Sequence, residues 1–305
     1  MRWNIPLLLA SIAVAASPVQ AAKPLVPIPL AHVGPWEVNY DDDSCHLIGT
    51  FGSGDDRIIA RFTRFEPGDG FILALIGKPM RSSNVSSKVR LDFGPVVDPQ
   101  EEVSINGKVG TLPISVFGKL YLIDRPGRTF VGTVADALKA LEALKALQPA
   151  NITPEQEALA SDLTVQRPNG KSYRLALGSM AAPMKSLRVC NSDLVRLWGL
   201  DAAEQASLVS KPVPIGNPGS WLSFRDYPEK MLQSGNSGLV QFRFDIDATG
   251  AITGCHIQSR SNPDEFADLS CQLLSRRGRF SPALDRNGKP IKSYYVSSVK
   301  WTIGR

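Results

Sequence analysis

The chain has 305 residues, 43% of them hydrophobic and 21% charged, with a formal net charge of +5. Such a chain is long and apolar enough for two cores, and its composition excludes a disordered or fibrous protein. Residues 225–305 carry twelve Lys/Arg against eight Asp/Glu, while residues 23–224 carry 21 of each, so the excess is C-terminal and mild. It favours anionic surfaces weakly, and without a basic stripe interleaved with aromatics it does not point to nucleic acid.

Residues 1–22 read as a secretory signal. Arg2 gives the positive start, Ile5 to Ala16 the apolar core, and Val19-Gln20-Ala21 a small-residue cleavage site near Ala21-Ala22. The apolar run is about twelve residues, short of the roughly 20 that a membrane-spanning helix needs. The expected location is therefore the periplasm, the alternative being an uncleaved segment anchored in the inner membrane.

Residues 23–35 form a Pro-rich, extended lead. A β-rich domain is expected over 36–199, as an antiparallel sheet or small barrel. Its strands open at Trp36–Tyr40 and continue through Cys45–Phe51, Arg57–Phe65 and Gly70–Ile76, with turns at Gly52–Asp56 and Glu66–Gly70. Further strands are expected at Val89–Phe93 and Lys119–Ile123. Apolar residues at helical spacing predict a helix over Thr133–Leu147, then a hairpin of Leu163–Arg167 and Ser172–Leu177, then a helix over Ala182–Trp198. An early Trp and Cys followed by a late helix with Cys, Leu and Trp-Gly is similar to exported alphaproteobacterial proteins, a resemblance that implies no activity. Residues 200–224 read as a linker, extended over Val209–Gly219 because that stretch is rich in Pro and Gly.

The last domain, 225–305, opens with Tyr227-Pro228, a short helical stretch and the turn Gly235-Asn236-Ser237-Gly238. Val240, Phe242, Phe244 and Ile246 then alternate with polar neighbours, the period of a half-buried strand. Asp247–Gly250 turns the chain into a strand from Ala251 to Ser259. A helix over Asp264–Arg277 follows, then Phe280-Ser281-Pro282-Ala283, the turn at Asn287-Gly288, and a closing strand from Ile291 to Thr302. Tyr227-Pro228, the Gly238–Ile246 strand, Asp247-x-x-Gly250 and Phe280-x-Pro282-Ala283-x-x-x-Asn287-Gly288 together resemble the C-terminal domain of TonB-family proteins. The resemblance covers about a quarter of the chain. It implies an α+β protein: a β-rich N-terminal domain with helices, then a three-stranded antiparallel sheet packed on helices. Energy-transducing members of that family carry an N-terminal membrane helix and a long Pro-rich spacer. Here a globular domain stands in their place.

Four cysteines in an exported chain imply two disulfides with three possible connectivities. Keeping each bridge inside one domain gives Cys45–Cys190 and Cys255–Cys271. No Cys-x-x-Cys spacing favours a metal instead.

Catalytic and cofactor signatures are missing from the pattern, so neither an enzyme nor a cofactor is expected. His32, His46 and His256 sit in no nucleophile motif. Gly170-Lys171-Ser172 ends like a phosphate-binding loop, but Val165 stands where its first glycine belongs. Asp245-x-Asp247-x-Thr249-Gly250 begins like a calcium loop, but His256 stands at the twelfth position in place of a bidentate Glu.

The resemblance implies a binding function. In that family the domain recruits an extended segment of a TonB-dependent outer-membrane receptor beside its last strand, and another envelope protein is the alternative partner. The corresponding edge residues are Ile291, Ser293, Tyr294, Tyr295, Val296, Ser297, Val299 and Trp301. Arg276, Arg277 and Arg279 are candidates for contact with peptidoglycan or another anionic surface, set against a simple role at the negative end of a helix. An anchored energy transducer for transport across the outer membrane is the alternative function, and an enzyme in the N-terminal domain a third.

Overall fold

The computed structural model describes residues 26–122, 152–167, 170–260 and 264–303. The signal expected over 1–22 and the helix expected over Thr133–Leu147 lie outside them.

The chain begins with β1 (Ile28–Leu30) and β2 (His32–Asp41), then β3 (Ser44–Phe51), β4 (Ile58–Arg64), β5 (Phe71–Ile76) and β6 (Ser86–Asp92). After β7 (Gln100–Val109) and β8 (Leu112–Leu120) come the short helix α1 (Pro154–Leu159), β9 (Asp162–Gln166), β10 (Tyr173–Ala176) and the long helix α2 (Ala181–Leu197). The strands form one sheet in the order β1-β10-β9-β6-β7-β8-β5-β4-β3-β2. All pairs are antiparallel except β1 with β10. Only Ala31 separates β1 from β2, with Leu30 beside Leu175 of β10 and His32 beside Phe51 of β3. The two ends of the order are thus one continuous piece of chain, and the sheet closes as a barrel with no free edge there.

This corrects two expectations. Residues 28–30 of the extended lead form the closing strand, with Pro29 tolerated in a short stretch that has a single parallel partner, so the barrel starts before residue 36. Strand β7 was not expected at all, since its inward residues are the polar Ser104 and Asn106 rather than apolar ones. Its inward polar atoms are satisfied among themselves: Asn106 Oδ1 accepts from Ser104 Oγ (3.0 Å) and Ser115 Oγ (2.8 Å).

Inside the barrel, alternate residues converge on one core that includes Leu47, Phe51, Phe62, Leu73, Leu91, Val165 and Leu175. Burying each such side chain contributes roughly 1.5–3 kcal/mol. Helix α2 adds Met184, Leu187, Cys190 and Leu194 to that core, and Cys190 is bonded to Cys45 of β3.

Downstream lie α3 (Ala202–Ala206), β11 (Val213–Pro214), α4 (Glu229–Gln233), β12 (Gly238–Ile246), β13 (Ile252–Arg260), α5 (Glu265–Arg277), β14 (Phe280–Ser281), β15 (Ala283–Leu284), β16 (Pro290–Ile291) and β17 (Ser293–Trp301). The stretch expected to be an extended linker is built into the fold: β11 pairs with β14, Ser210 bridges Leu284, and Trp221 is buried against Phe280. Apolar Trp221 and the backbone of Val213 find partners that composition alone does not reveal.

The central C-terminal sheet has the order β13-β12-β17. One face, with Val240, Phe242, Phe244 and Ile246, packs on α5 through Phe266 and Leu274. Cys255–Cys271 ties β13 to α5. Gly250 explains the Asp247-x-x-Gly250 motif: at φ 87° it turns the chain where a Cβ would lie 2.0 Å from the Phe280 carbonyl oxygen. Asp247 Oδ1 accepts from the backbone N–H of Thr249 (2.8 Å) and Ala251 (3.0 Å), so this aspartate organises a turn.

Candidate functional site: the outer strand and the cleft beside it

β17 is a terminal strand. Its inner side pairs with β12 from Ser293↔Ile246 to Trp301↔Gly238, and among the described residues no strand pairs with its outer side. Because side chains alternate, the strand offers two different faces. Tyr295 and Val299 pack on the α5 side, with the Tyr295 ring 4.8 Å from that of Phe280. Trp301 is in the core, stacked on Phe266 at 5.3 Å with its Nε1–H donating to Ser270 Oγ at 3.0 Å.

Tyr294, Val296, Ser298 and Lys300 share the opposite face with Leu239, Gln241 and Arg243 of β12. That face turns to the barrel. Tyr294 packs edge-on against Trp198 with centroids 5.0 Å apart, and joins Val195 and Leu200 in a small core. Burial, with the charge of Glu66 nearby, pushes the Tyr294 phenol upward, keeping it neutral. Arg243 lies over Trp198 and pairs with Asp43 of the β2–β3 turn and with Asp245. Gln258 Nε2 donates to the carbonyls of Asp43 (3.1 Å) and Phe65 (2.9 Å). At the start of β17, Ser293 Oγ donates to Gln205 Oε1 (2.6 Å), and Gln205 Nε2 to the Lys292 carbonyl (3.0 Å). These contacts hold barrel and sheet against each other at one end of the face. At the other end the two separate into a cleft of about 450 Å³, bordered by Val103, Ile105 and Val116 of the barrel and by Val296, Ser297, Ser298 and Lys300 of β17.

The family model described as the Gram-negative bacterial TonB protein C-terminal matches residues 225–303. Residues 225–303 form a TonB-family C-terminal domain. No curated protein and no solved structure matches the chain. The TonB-family domain accounts for the three-stranded sheet, α5 and the turns that carry the motif. The match concerns this domain, about a quarter of the chain.

Around this TonB-family sheet, the candidate residues divide. Ser293 to Trp301 form the outer strand, but Ile291 belongs to β16, paired with Ala283, and lies off that edge. Its neighbour Pro290 and the following Lys292 break the run before β17 begins. Trp301 and Tyr294 are buried, so they position the strand rather than offer side chains to a partner. Two of the three arginines are committed within the fold. Arg277 makes a two-pronged pair with Asp226 (both 2.8 Å) and donates to the Trp221 carbonyl (2.7 Å), while Arg279 donates to the carbonyls of Arg276 (2.9 Å) and Gly278 (2.7 Å). Arg276 is exposed. The barrel's share of the cleft has no signal in a TonB-like motif; the one legible hint was the exposed-face alternation of Val103 and Ile105.

The histidines do not assemble a nucleophile. His46 comes nearest: Ser44 Oγ lies 3.1 Å from Nε2 and Asp41 3.8 Å from the same nitrogen, while Nδ1 faces Thr63 Oγ1 at 2.9 Å. A relay needs nucleophile and carboxylate on opposite nitrogens. Burial and the Arg61 charge push His46 downward, and burial does the same to His32, whose ring lies 4.9 Å from each of Trp36 and Phe51. His256 bonds Asp245 at 2.7 Å and so extends the Arg243 cluster.

Proposed function

We propose that this protein is a periplasmic interaction protein. Its TonB-family domain captures an extended segment of an outer-membrane receptor, or of another envelope protein, by strand addition to β17. The observation that carries this reading is that, among the described residues, no strand pairs with the outer side of β17, in a sheet with one face buried on α5. A row of unmet backbone N–H and C=O groups is a template for a further strand, with hydrogen bonds giving affinity and alternate side chains giving selectivity. No catalytic step is assigned to the chain. Anchored energy transduction is the second reading, and it turns on whether residues 1–22 are retained.

Two experiments test the proposal. Adjacent residues of an antiparallel strand point their N–H groups to opposite sides. Of Tyr295→Pro and Val296→Pro, one therefore removes an inward bond and the other an outward one. The variant that stays folded by circular dichroism should lose capture of peptides from the periplasmic ends of outer-membrane receptors. Undiminished capture by that folded variant removes β17 as the site. Intact mass of the native protein by cell fraction separates the two locations: a chain beginning near Ala22 in the soluble periplasm supports the free module, a full-length chain in the inner membrane supports the transducer.

A further inference from the structure

The cleft beside β17 has a second wall, and that wall belongs to the barrel. Val103 and Ile105 of β7 are 57% and 39% exposed, although β7 is an internal strand with both neighbours in place. Val116 of β8 lies beside Ile105 on the same outward face. Together they make an apolar strip on the outside of the barrel, facing the groove that β17 also lines. Three consecutive residues of β17, Val296, Ser297 and Ser298, border this groove. Leu239 and Gln241 of β12 border it as well, so the groove lies over the barrel-facing side of the sheet, alongside β17.

We infer that the barrel wall of Val103, Ile105 and Val116 selects the side chains of the segment that β17 binds. The inference rests on the strand-addition reading and deepens it. A strand added to β17 runs about 4.8 Å from it, with every second side chain turned toward the barrel. Where they meet Val103, Ile105 and Val116 they are themselves apolar, while the Lys119–Glu66 pair (2.8 Å) borders the same cleft. Beside them Lys300 is exposed and, among the described residues, makes no ion pair, so an acidic residue of the segment is placed next to it. The ligand class is therefore an extended peptide with apolar residues at alternate positions and an acidic residue toward the Lys300 end. The two walls divide the work: β17 supplies backbone hydrogen bonds that any sequence can use, and the barrel supplies the choice among sequences.

The test uses the full chain and fluorescein-labelled peptides of about ten residues, long enough to run beside β17 at roughly 3.4 Å per residue. One probe alternates valine and threonine and ends in aspartate. A second has serine for each valine, and a third has lysine for the aspartate. Binding is read by fluorescence anisotropy. Val103→Ser with Ile105→Ser, both at exposed positions, should weaken the valine probe about tenfold and leave the serine probe unchanged. Lys300→Glu should reverse the order of the aspartate and lysine probes, by about fivefold either way. If the folded edge-proline variant loses binding while these variants bind all probes as the unaltered chain does, the barrel wall has no selecting role and the strand reading stands. If the proline variant also binds unchanged, the strand reading falls with it. Failure of the unaltered chain to prefer the valine probe over the serine probe overturns the inference directly.

Discussion

Arg243 of the C-terminal sheet lies over the Trp198 ring at the end of α2, its guanidinium carbon 4.4 Å from the ring centroid. The same side chain is 4% exposed and reaches Asp43 at 3.3 Å. One residue thus joins the sheet to both a helix and a turn of the barrel. Truncating it leaves Asp43 and Asp245, 22% and 37% exposed, without their shared cation, so solvent screens part of the loss. Arg243→Ala should weaken docking by roughly 1–3 kcal/mol. Calorimetry should then show the C-terminal sheet unfolding before the barrel. An unshifted single transition counts against Arg243 as the tie.

The two disulfides should contribute unequally. Cys45–Cys190 spans a sequence separation of 145 and Cys255–Cys271 one of 16. Restricting the unfolded chain is worth about 5 kcal/mol for the long loop and about 3 kcal/mol for the short one on the chain-entropy estimate. Double Ala replacement of each pair, followed by urea unfolding, checks the order. A larger loss from the short bridge would mean that strain or residual structure decides instead.

Gly250→Ala should destabilise the C-terminal sheet by roughly 2–4 kcal/mol, through positive φ and through backbone contact that no rotamer change relieves. The clash is with the Phe280 carbonyl, which cannot retreat without moving β14. Gly288, also at positive φ (77°) but with open space around its Cβ position, serves as the control, and Gly288→Ala should cost only about 1 kcal/mol. Equal losses at the two positions would remove the contact from the explanation.

Acid should loosen the attachment of residues 221–227 to α5. Hydrogen bonds from Arg277 hold the Asp226 carboxyl well below the usual carboxylate range, helped by bonds from Ser223. The unfolded chain, where an aspartate titrates near ~3.9, binds this proton more readily than the folded one. The pair's stabilisation is therefore complete above that pH and is lost as pH falls through it toward the folded value. Asp226→Asn should lower Tm at neutral pH and flatten the acid limb of the Tm–pH curve, the two proteins drawing together as pH falls below the ordinary carboxylate range. Parallel curves would show that Asp226 does not carry the acid sensitivity.

Much of the outer strand was legible before any coordinates. The closing strand expected over Ile291–Thr302 is Ser293–Trp301, and the alternation in β12 placed Phe242 and Phe244 together in the core. Tyr294 and Tyr295 were not separable by pattern, because both are amphipathic and period two assigns them to opposite faces without saying which face is drier. The barrel's closure was hidden for another reason. β1 is three residues with a proline at its centre, and its partner β10 lies 145 positions downstream at Tyr173↔Ile28. Local propensity argues against such a strand; only a distant partner creates it.

By itself, the sequence determined the β-rich N-terminal half, the TonB-family domain, and each turn that needs glycine or aspartate. These are local matters of periodicity and backbone freedom, and local patterns report them. The tertiary structure decided that the Pro-rich lead closes a barrel, that Arg277 serves Asp226, and that Arg243 reaches Asp43 across 200 positions. It also decided that Val103 and Ile105 stand opposite Val296 and Lys300 across one cleft. Contacts between residues so far apart depend on which surfaces meet once each core has formed, and no period within either segment encodes that choice.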